Sequence, residues 1–354
     1  MINVKRFVDI NIKSHQISTV SSIRDTAVLI VETGSINAEL TSASGNDYNN
    51  LSDTEKKYVD VFFACGGAKL KVISAVKTGS SATATELVNQ IKTLGNELIV
   101  IAYAGANATF QSAASTLAGD STVYGVNSKI LVTYTSTTSA INTKNLAIKY
   151  TSVAGEEMSI AAYLTKINFD GIDTVQDYNF TKEPDTMSVI DNDGTFGTLQ
   201  DNNINVDIVI SGVKRNCGGN LGDGKDLVNE FALIVLQQTV TDAVMNVLVE
   251  KPKDESGLAR IRSAISGELA RYVINGYLTQ TEVWTDEDLT IAYNNITYTV
   301  VEKNTALQSG YIVKVLPMSS LTQSDKAARK APPIYLVLAD SYGIRKVTIN
   351  GETI

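Results

Sequence analysis

The sequence predicts an α/β (α+β) fold, in which mixed β-sheets are flanked by helices and strand-like segments stand at both ends. Three observations carry this. Between residues 26 and 135, short apolar runs alternate with short capped helical patterns. Two long helical patterns follow, between 227 and 278. From 296 the pattern returns to strands and keeps to them as far as the final "GIRKVTINGETI".

Residues 2–12 alternate. Ile2, Val4, Val8, Ile10 and Ile12 share one face, interrupted by Arg6; Asn3, Lys5, Asp9, Asn11 and Lys13 share the other with Phe7. A period of two over this length predicts a half-buried strand. "TAVLIVE" (26–32) predicts a more buried one. "SDTEKKYVDVFFACGG" then has the grammar of a helix, with Ser52 and Glu55 as a capping box and Gly66 as its stop. A strand is predicted at 69–76. The next helix carries Thr83 and Glu86 as its box and Gly95 as its stop. A strand at 97–103, a short helix in "ATFQSAASTLAG" and a strand at 128–135 complete a layer with mainly parallel pairing.

From residue 136 the texture changes. "TSTTSAINTKN" is a loop, "NLAIKYTS" a strand, "EEMSIAAYLTKI" a helix and "DYNFTKEPD" extended. One long helix runs through "LVNEFALIVLQQTVTDAVMNVLVE" and ends before Pro252. The other, "GLARIRSAISGELARYVINGYL", places Leu258, Ile261, Ile265, Leu269, Tyr272 and Val273 on one stripe. "ITYTVVE" and "GYIVKVLPMS" read as strands. Residues 334–339, apolar on both faces, read as a central strand. Residues 340–343 break the pattern before the half-polar last strand. No internal repeat at solenoid periods is visible.

Composition narrows the function. The 354 residues can bury more than one core. Hydrophobic residues at 44% and charged ones at 19% suit a globular protein. The net charge of −8 gives no support to a general nucleic-acid binder. Two cysteines, Cys65 and Cys217, are too few for a disulfide framework and fit synthesis in a reducing cytosol. The single histidine, His15, rules out zinc sites of His and Cys at motif spacing. It is expected in an exposed polar loop rather than in a catalytic triad. Residues 1–12 lack a continuous apolar h-region, so no signal peptide is expected. Gln237, Gln238, Thr241, Asp242 and Asn246 break the longest apolar stretch, so no membrane span is expected.

Four stretches could carry chemistry. Gly219, Gly224 and Lys225 imitate a phosphate-binding loop between a strand and a long helix. Asp226 stands where a Ser or Thr should hold Mg²⁺, and with Asp223 it would repel phosphate; Asp226 is better placed as a helix N-cap. "DNDGTFG", with Asp191, Asp193 and Gly194, starts like a calcium loop, but its twelfth position is Asn202, so a turn is expected. Glu156–Glu157 and Asp286–Glu287–Asp288 are expected on a solvated surface. "LTQSDKAARKAPP" gathers Lys326, Arg329 and Lys330 on a helical turn capped by Ser324, either as a solvated face or as a docking surface for an acidic partner.

The last hundred residues resemble the tail sheath proteins of contractile phage tails and related injection machines. The stretches that carry the likeness are "GLARIRSAISGELARYVINGYL", "SGYIVKVLPMSSLTQSDKAARKAPPIYLVLADSYGIRKVTINGETI" and the segment leading to "RDTAVLIVETG". Their order is long helix, Gly-Tyr strand, basic residue before Ala-Pro, apolar strand, glycine break and terminal strand. The middle of the chain matches only as a generic α/β pattern. The chain is short for the family, which implies a near-minimal subunit.

The resemblance implies a discontinuous sheath-type core with extended arms: residues 1–22 and 340–354 as arms, 23–150 as an α/β domain and 151–339 as a sheath C-terminal-type domain. It implies that Ile2, Val4, Val8, Ile10 and Ile12, and Ile344, Val347 and Ile349, add strands to neighbouring subunits, with Gly343 as hinge. It further implies a non-enzymatic subunit without cofactor or metal that polymerises helically around a tail tube and contracts. Its partners would be itself, the tube, and baseplate and terminator proteins, with no direct nucleic acid contact and no membrane insertion. Its place would be the virion tail, assembled in a bacterial host's cytoplasm. Arg260, Arg262, Lys326, Arg329 and Lys330 are the candidates for a weak, breakable tube contact. Two alternatives remain, another structural tail or baseplate protein and a nucleotide-binding protein of P-loop type.

Overall fold

A computed structural model describes residues 11–12, 15–16, 25–95, 98–119, 129–250, 254–279, 289–291, 296–328 and 330–339. The first half contains β1 (Asn11–Ile12), β2 (His15–Gln16), β3 (Thr26–Val31), β4 (Asn37–Leu40), α1 (Asn46–Asn49), α2 (Asp53–Ala64), β5 (Lys69–Ser74), α3 (Ala84–Thr93), β6 (Val100–Ala104), α4 (Asn107–Ala118), β7 (Ile130–Thr135) and β8 (Leu146–Tyr150). The second half contains α5 (Met158–Lys166), α6 (Asp193–Asp201), β9 (Val206–Ile210), β10 (Val213–Cys217), α7 (Leu227–Val249), α8 (Glu255–Ile274), β11 (Leu289–Ile291), β12 (Ile296–Tyr298), α9 (Val300–Ser309), β13 (Tyr311–Val315), α10 (Gln323–Ala327) and β14 (Ile334–Leu338).

Six strands form the main sheet in the order β4-β5-β3-β6-β7-β8. Only β4 is antiparallel to its neighbour; the others run parallel. β3 lies inside and is buried along its whole length, as a parallel strand covered on both faces must be. Ala27, Leu29 and Val31 face one layer, with Tyr58, Val59 and Phe62 of α2 and Met158, Ala161 and Leu164 of α5. Val28 and Ile30 face the other, with Leu87, Val88 and Ile91 of α3 and Phe110, Ala113 and Leu117 of α4. The first layer runs on without a break into α7, α8 and β13, through Phe231, Leu236, Ile265, Tyr272 and Val313.

The helix starts follow their sequence signals. Ser52 and Glu55 make the expected capping box on α2, and Thr83 and Glu86 make the one on α3. Glu55 does more than cap. It also accepts from Thr33 N at 2.8 Å and from Thr33 Oγ1, tying α2 to the end of β3. Burial raises the affinity of Glu55 for a proton, but the Thr33 and Ser52 donors outweigh that and hold its carboxyl below the usual range. Gly66 ends α2 at φ +81°, a conformation that side chains with a Cβ resist. Gly95 does not end α3. Leu94 turns extended one residue earlier (φ −66°, ψ 136°), and the Lys129 ammonium donates to the carbonyls of Gly95 and Leu98.

Other expectations change. "DNDGTFG" is not an isolated turn: Asn192 caps α6, its side chain accepting from Thr195 N at 2.9 Å. "ITYTVVE" is only half a strand. Thr299 and Glu302 form a capping box there, and α9 starts at Val300. Thr322, not Ser324, caps α10. His15 is in strand backbone opposite Ile12, not in a loop. The polar residues of α7 do not interrupt it: Leu227–Leu248 has a mean hydropathy of 1.4, enough to cross a membrane by length and composition, and 67% of it is buried inside the protein.

Candidate interaction surfaces

β13 and β14 form a sheet of two antiparallel strands, Tyr311 opposite Leu338 and Val315 opposite Ile334. Ile334, Leu336 and Leu338 pack toward the core that holds Ile261, Ile265 and Leu269 of α8. Tyr311 OH donates to Ser266 O of α8 at 3.1 Å, Lys314 Nζ meets Glu302 Oε1 of α9 at 2.9 Å, and Thr279 N donates to Ala339 O at 2.9 Å. The sheet is therefore held firmly by one face. The strand expected at 334–339 is β14, which has β13 on one side and, among the described residues, no strand on the other. Apolar side chains report burial above and below a strand, whereas hydrogen-bonding edges lie in the plane between them.

Of the arm residues, Ile12 lies in β1 opposite His15. Ile2, Val4, Val8, Ile10, Gly343, Ile344, Val347 and Ile349 lie outside the described residues. The basic candidates separate. Arg260 pairs with Glu250. Lys330 pairs with Asp325 at 2.9 Å. Arg262 and Lys326 are exposed, with no ion pair among the described residues. Arg329 lies outside them. Glu255, in the first turn of α8, accepts from Met318 N at 2.8 Å, so the start of the helix that carries Arg262 adjoins the segment leading to α10 and Lys326.

The glycine loop before α7 has the position of a phosphate loop but not its free donors. Asp226 caps α7, accepting from Asn229 N at 2.8 Å. Asn205, fully buried, accepts from Gly219 N and Asn220 N through Oδ1 and donates through Nδ2 to Ile148 O and Asn220 O. Gly222 N donates to Leu146 O, and Gly224 N to Leu221 O, both at 2.8 Å. A phosphate would have to displace the contacts that hold this loop along the outer edge of β8. Lys225 pairs with Glu230 at 3.0 Å. Asn205→Ala should strand the Gly219 and Asn220 N–H groups and take a donor from Asn220 O, while Ile148 O keeps the Asn205 backbone N–H, and should lower stability by about 2–4 kcal/mol. Urea denaturation measures this, and a loss under about 0.5 kcal/mol would show that water replaces the amide.

Open α/β sheets bind ligands beyond the carboxyl ends of strands where the order reverses. Here that point lies between β3 and β6, and side chains of the protein itself fill it. Glu32 accepts from Lys77 Nζ at 2.6 Å, from Ala82 N at 3.0 Å and from Tyr103 OH. Asn107 and Gln111, from the first turns of α4, both donate to Tyr134 O. Among the described residues, no group of three or more His, Cys, Asp or Glu side chains could hold a metal ion.

The acidic pair Glu156–Glu157, expected on the surface, is buried, at 4% and 1% exposure. Glu156 accepts from Ser188 N and Oγ at 2.8 Å and from Thr151 Oγ1 at 2.5 Å. Two of its three donors come from Ser188, a distant segment, so the local sequence does not announce its burial. The triplet 286–288 lies outside the described residues. The fully buried Lys149, which no motif marked, lies close by on β8.

Residues 228–352 match the family model described as "E217 tail sheath protein gp31-like, C-terminal domain". No curated protein sequence matches the chain. Among solved structures, the fold is similar to a chain of the anti-feeding prophage (AFP) baseplate, determined by cryo-EM with 6-fold symmetrisation. The TM-score is 0.67 and the identity 16%, over 98% of each chain. At that identity the likeness is one of fold. The tail-sheath-like character of the chain rests on its C-terminal third.

Proposed function

From a chain that carries a tail-sheath-like C-terminal domain, we propose a structural subunit that polymerises helically around a tail tube. Residues 1–22 and 340–354 are the arms that link subunits, and 151–339 the unit that receives them. The observation that carries this reading is the β13–β14 sheet, anchored on one face and without a further strand beside β14 among the described residues. An arm strand from a neighbour would extend it by β-augmentation, the main chain supplying hydrogen bonds. At about 0.5–1.5 kcal/mol net for each bond, one arm contributes a few kcal/mol. A head-to-tail lattice that closes no ring repeats this into a continuous mesh.

Contraction would be rigid-body rotation and sliding of subunits, with the arms as hinges about Gly343. The energy would reside in the extended lattice, with no nucleotide required. Arg262 and Lys326 are the best-placed tube contacts, because Arg260 and Lys330 already have carboxylate partners. A screened charge contact is weak and suits a surface that must separate. The subunit belongs in the tail of a virion or phage-tail-like particle, assembled in the bacterial cytoplasm with tube, baseplate and terminator proteins.

Val347→Pro tests the arm. Proline removes a ladder donor and should block strand pairing while sparing the fold. The expected result is loss of polymer by sedimentation with an unchanged circular dichroism spectrum; polymer at the wild-type concentration would overturn the reading. The likeness to a baseplate chain favours a second reading, a structural baseplate component assembling as a ring. Negative-stain images separate the two, since discrete rings without tubes would favour the baseplate.

A further inference from the structure

Lys149 sits on β8 with no exposure to solvent. Its ammonium lies 2.7 Å from Asp207 Oδ2 on β9, 2.7 Å from Ser159 Oγ on α5 and 3.8 Å from Glu183 Oε1. Asp207 also accepts from Asn216 Nδ2 of β10 at 3.3 Å. Glu183 accepts from Tyr178 OH at 3.0 Å and faces the Cys65 thiol, at the end of α2, at 3.7 Å. Glu157, ahead of α5, accepts from Gly155 N at 2.9 Å and pairs with the Tyr58 hydroxyl of α2. Tyr134 of β7 and Glu156 also face Glu157, Cys217 of β10 faces Asp207, and Lys166 of α5 faces Cys65.

The charges do not balance. Asp207, Glu183 and Glu157 are all 4% exposed or less, and Lys149 is the one fully buried ammonium among them. Glu156, beside them, has three hydrogen-bond donors of its own. One ammonium neutralises one carboxylate, and its closest is Asp207. A second and third ionised carboxylate without a cation in the buried interior are costly, and such groups keep their protons instead.

We propose that this centre is a proton-held latch: Glu183, between the sheet edge at β8 and the β9–β10 hairpin with its 178–190 flank, and Glu157, between the start of α5 and α2, close these joints only while they carry protons. Burial pushes Glu157 up to about 8. Burial also raises Glu183, with Asp207 adding to the shift and Lys149 opposing it. Burial would lower Lys149, but Asp207 and Glu183 outweigh it and keep the ammonium charged. The latch acts within the subunit and does not depend on how subunits assemble.

The sign follows from linkage. A carboxyl whose folded value lies above its unfolded one contributes stability that is complete below the unfolded value and is lost as pH rises through the folded one. For Glu157 that window runs from 4.5 to about 8. Each proton held only by the folded chain makes the unfolding constant rise about tenfold per pH unit within its window.

The test uses the full chain. Urea unfolding at pH 5.5, 7 and 8.5 should show wild-type stability falling with pH, and the neutral isosteres Glu157→Gln and Glu183→Gln should each remove about one proton from the slope. Infrared spectra of the folded wild type at pH 7 should contain the carbonyl stretch of protonated, buried carboxyl groups, weaker in each variant and absent in the double. This readout stands even if a variant fails to fold. A flat wild-type profile, a slope that both substitutions leave unchanged, or no protonated carboxyl band at pH 7 would each overturn the latch.

Discussion

Lys149→Met is expected to lower stability by about 3–5 kcal/mol at neutral pH, the cost of stranding buried charge when one partner of an ion pair is removed. Methionine replaces most of the lysine's volume, so little of the loss comes from a cavity. What is lost is the cation at 2.7 Å from Asp207 and the donor to Ser159, both deep in the interior. Adding Asp207→Asn, which removes the stranded charge, should recover part of the deficit. Such recovery is the mark of two residues acting as a unit. Chemical denaturation of the single and double variants measures both effects. A loss below about 1 kcal/mol would mean that water reaches the site.

Deleting residues 1–14 is expected to leave a folded monomer that forms no tubes. β3, the strand that follows it in the main sheet, has no edge left for that segment, because β5 pairs with it on one side and β6 on the other. Within the described residues the deletion removes β1, which pairs only with His15–Gln16. Assembly has more to lose, since the alternating apolar face of Ile2, Val4, Val8, Ile10 and Ile12 is the proposed strand for a neighbour. Left exposed, such a strand is an aggregation liability that assembly resolves. Sedimentation gives the polymer and thermal unfolding gives the fold. A large fall in melting temperature would place these residues in the subunit's own core.

Much of this protein was legible without its structure. The capping boxes at Ser52–Glu55 and Thr83–Glu86 and the cap at Asp226 are there because each needs only residues three apart. The burial of β3 and the stripe on α8 follow from period and composition, and Leu258, Ile261, Ile265, Leu269 and Tyr272 are buried as that stripe requires. The sheath-like ending was visible in the order of its elements, which a sequence preserves.

Tertiary structure alone decided where charge is buried and which strand edges are paired among the described residues. The sequence near Glu156, Glu157 and Lys149 supplies only Thr151 and Gly155 as partners, and the groups that complete their burial, Ser188, Tyr58 and Asp207, arrive from other segments. The glycine loop looked able to hold phosphate until Asn205, from a different element, took its donors. β14 read as central because a sequence records what covers a strand's faces. Its neighbours in the plane of the sheet are set by main-chain hydrogen bonds, which every residue but proline can make and which therefore leave no trace in side-chain pattern.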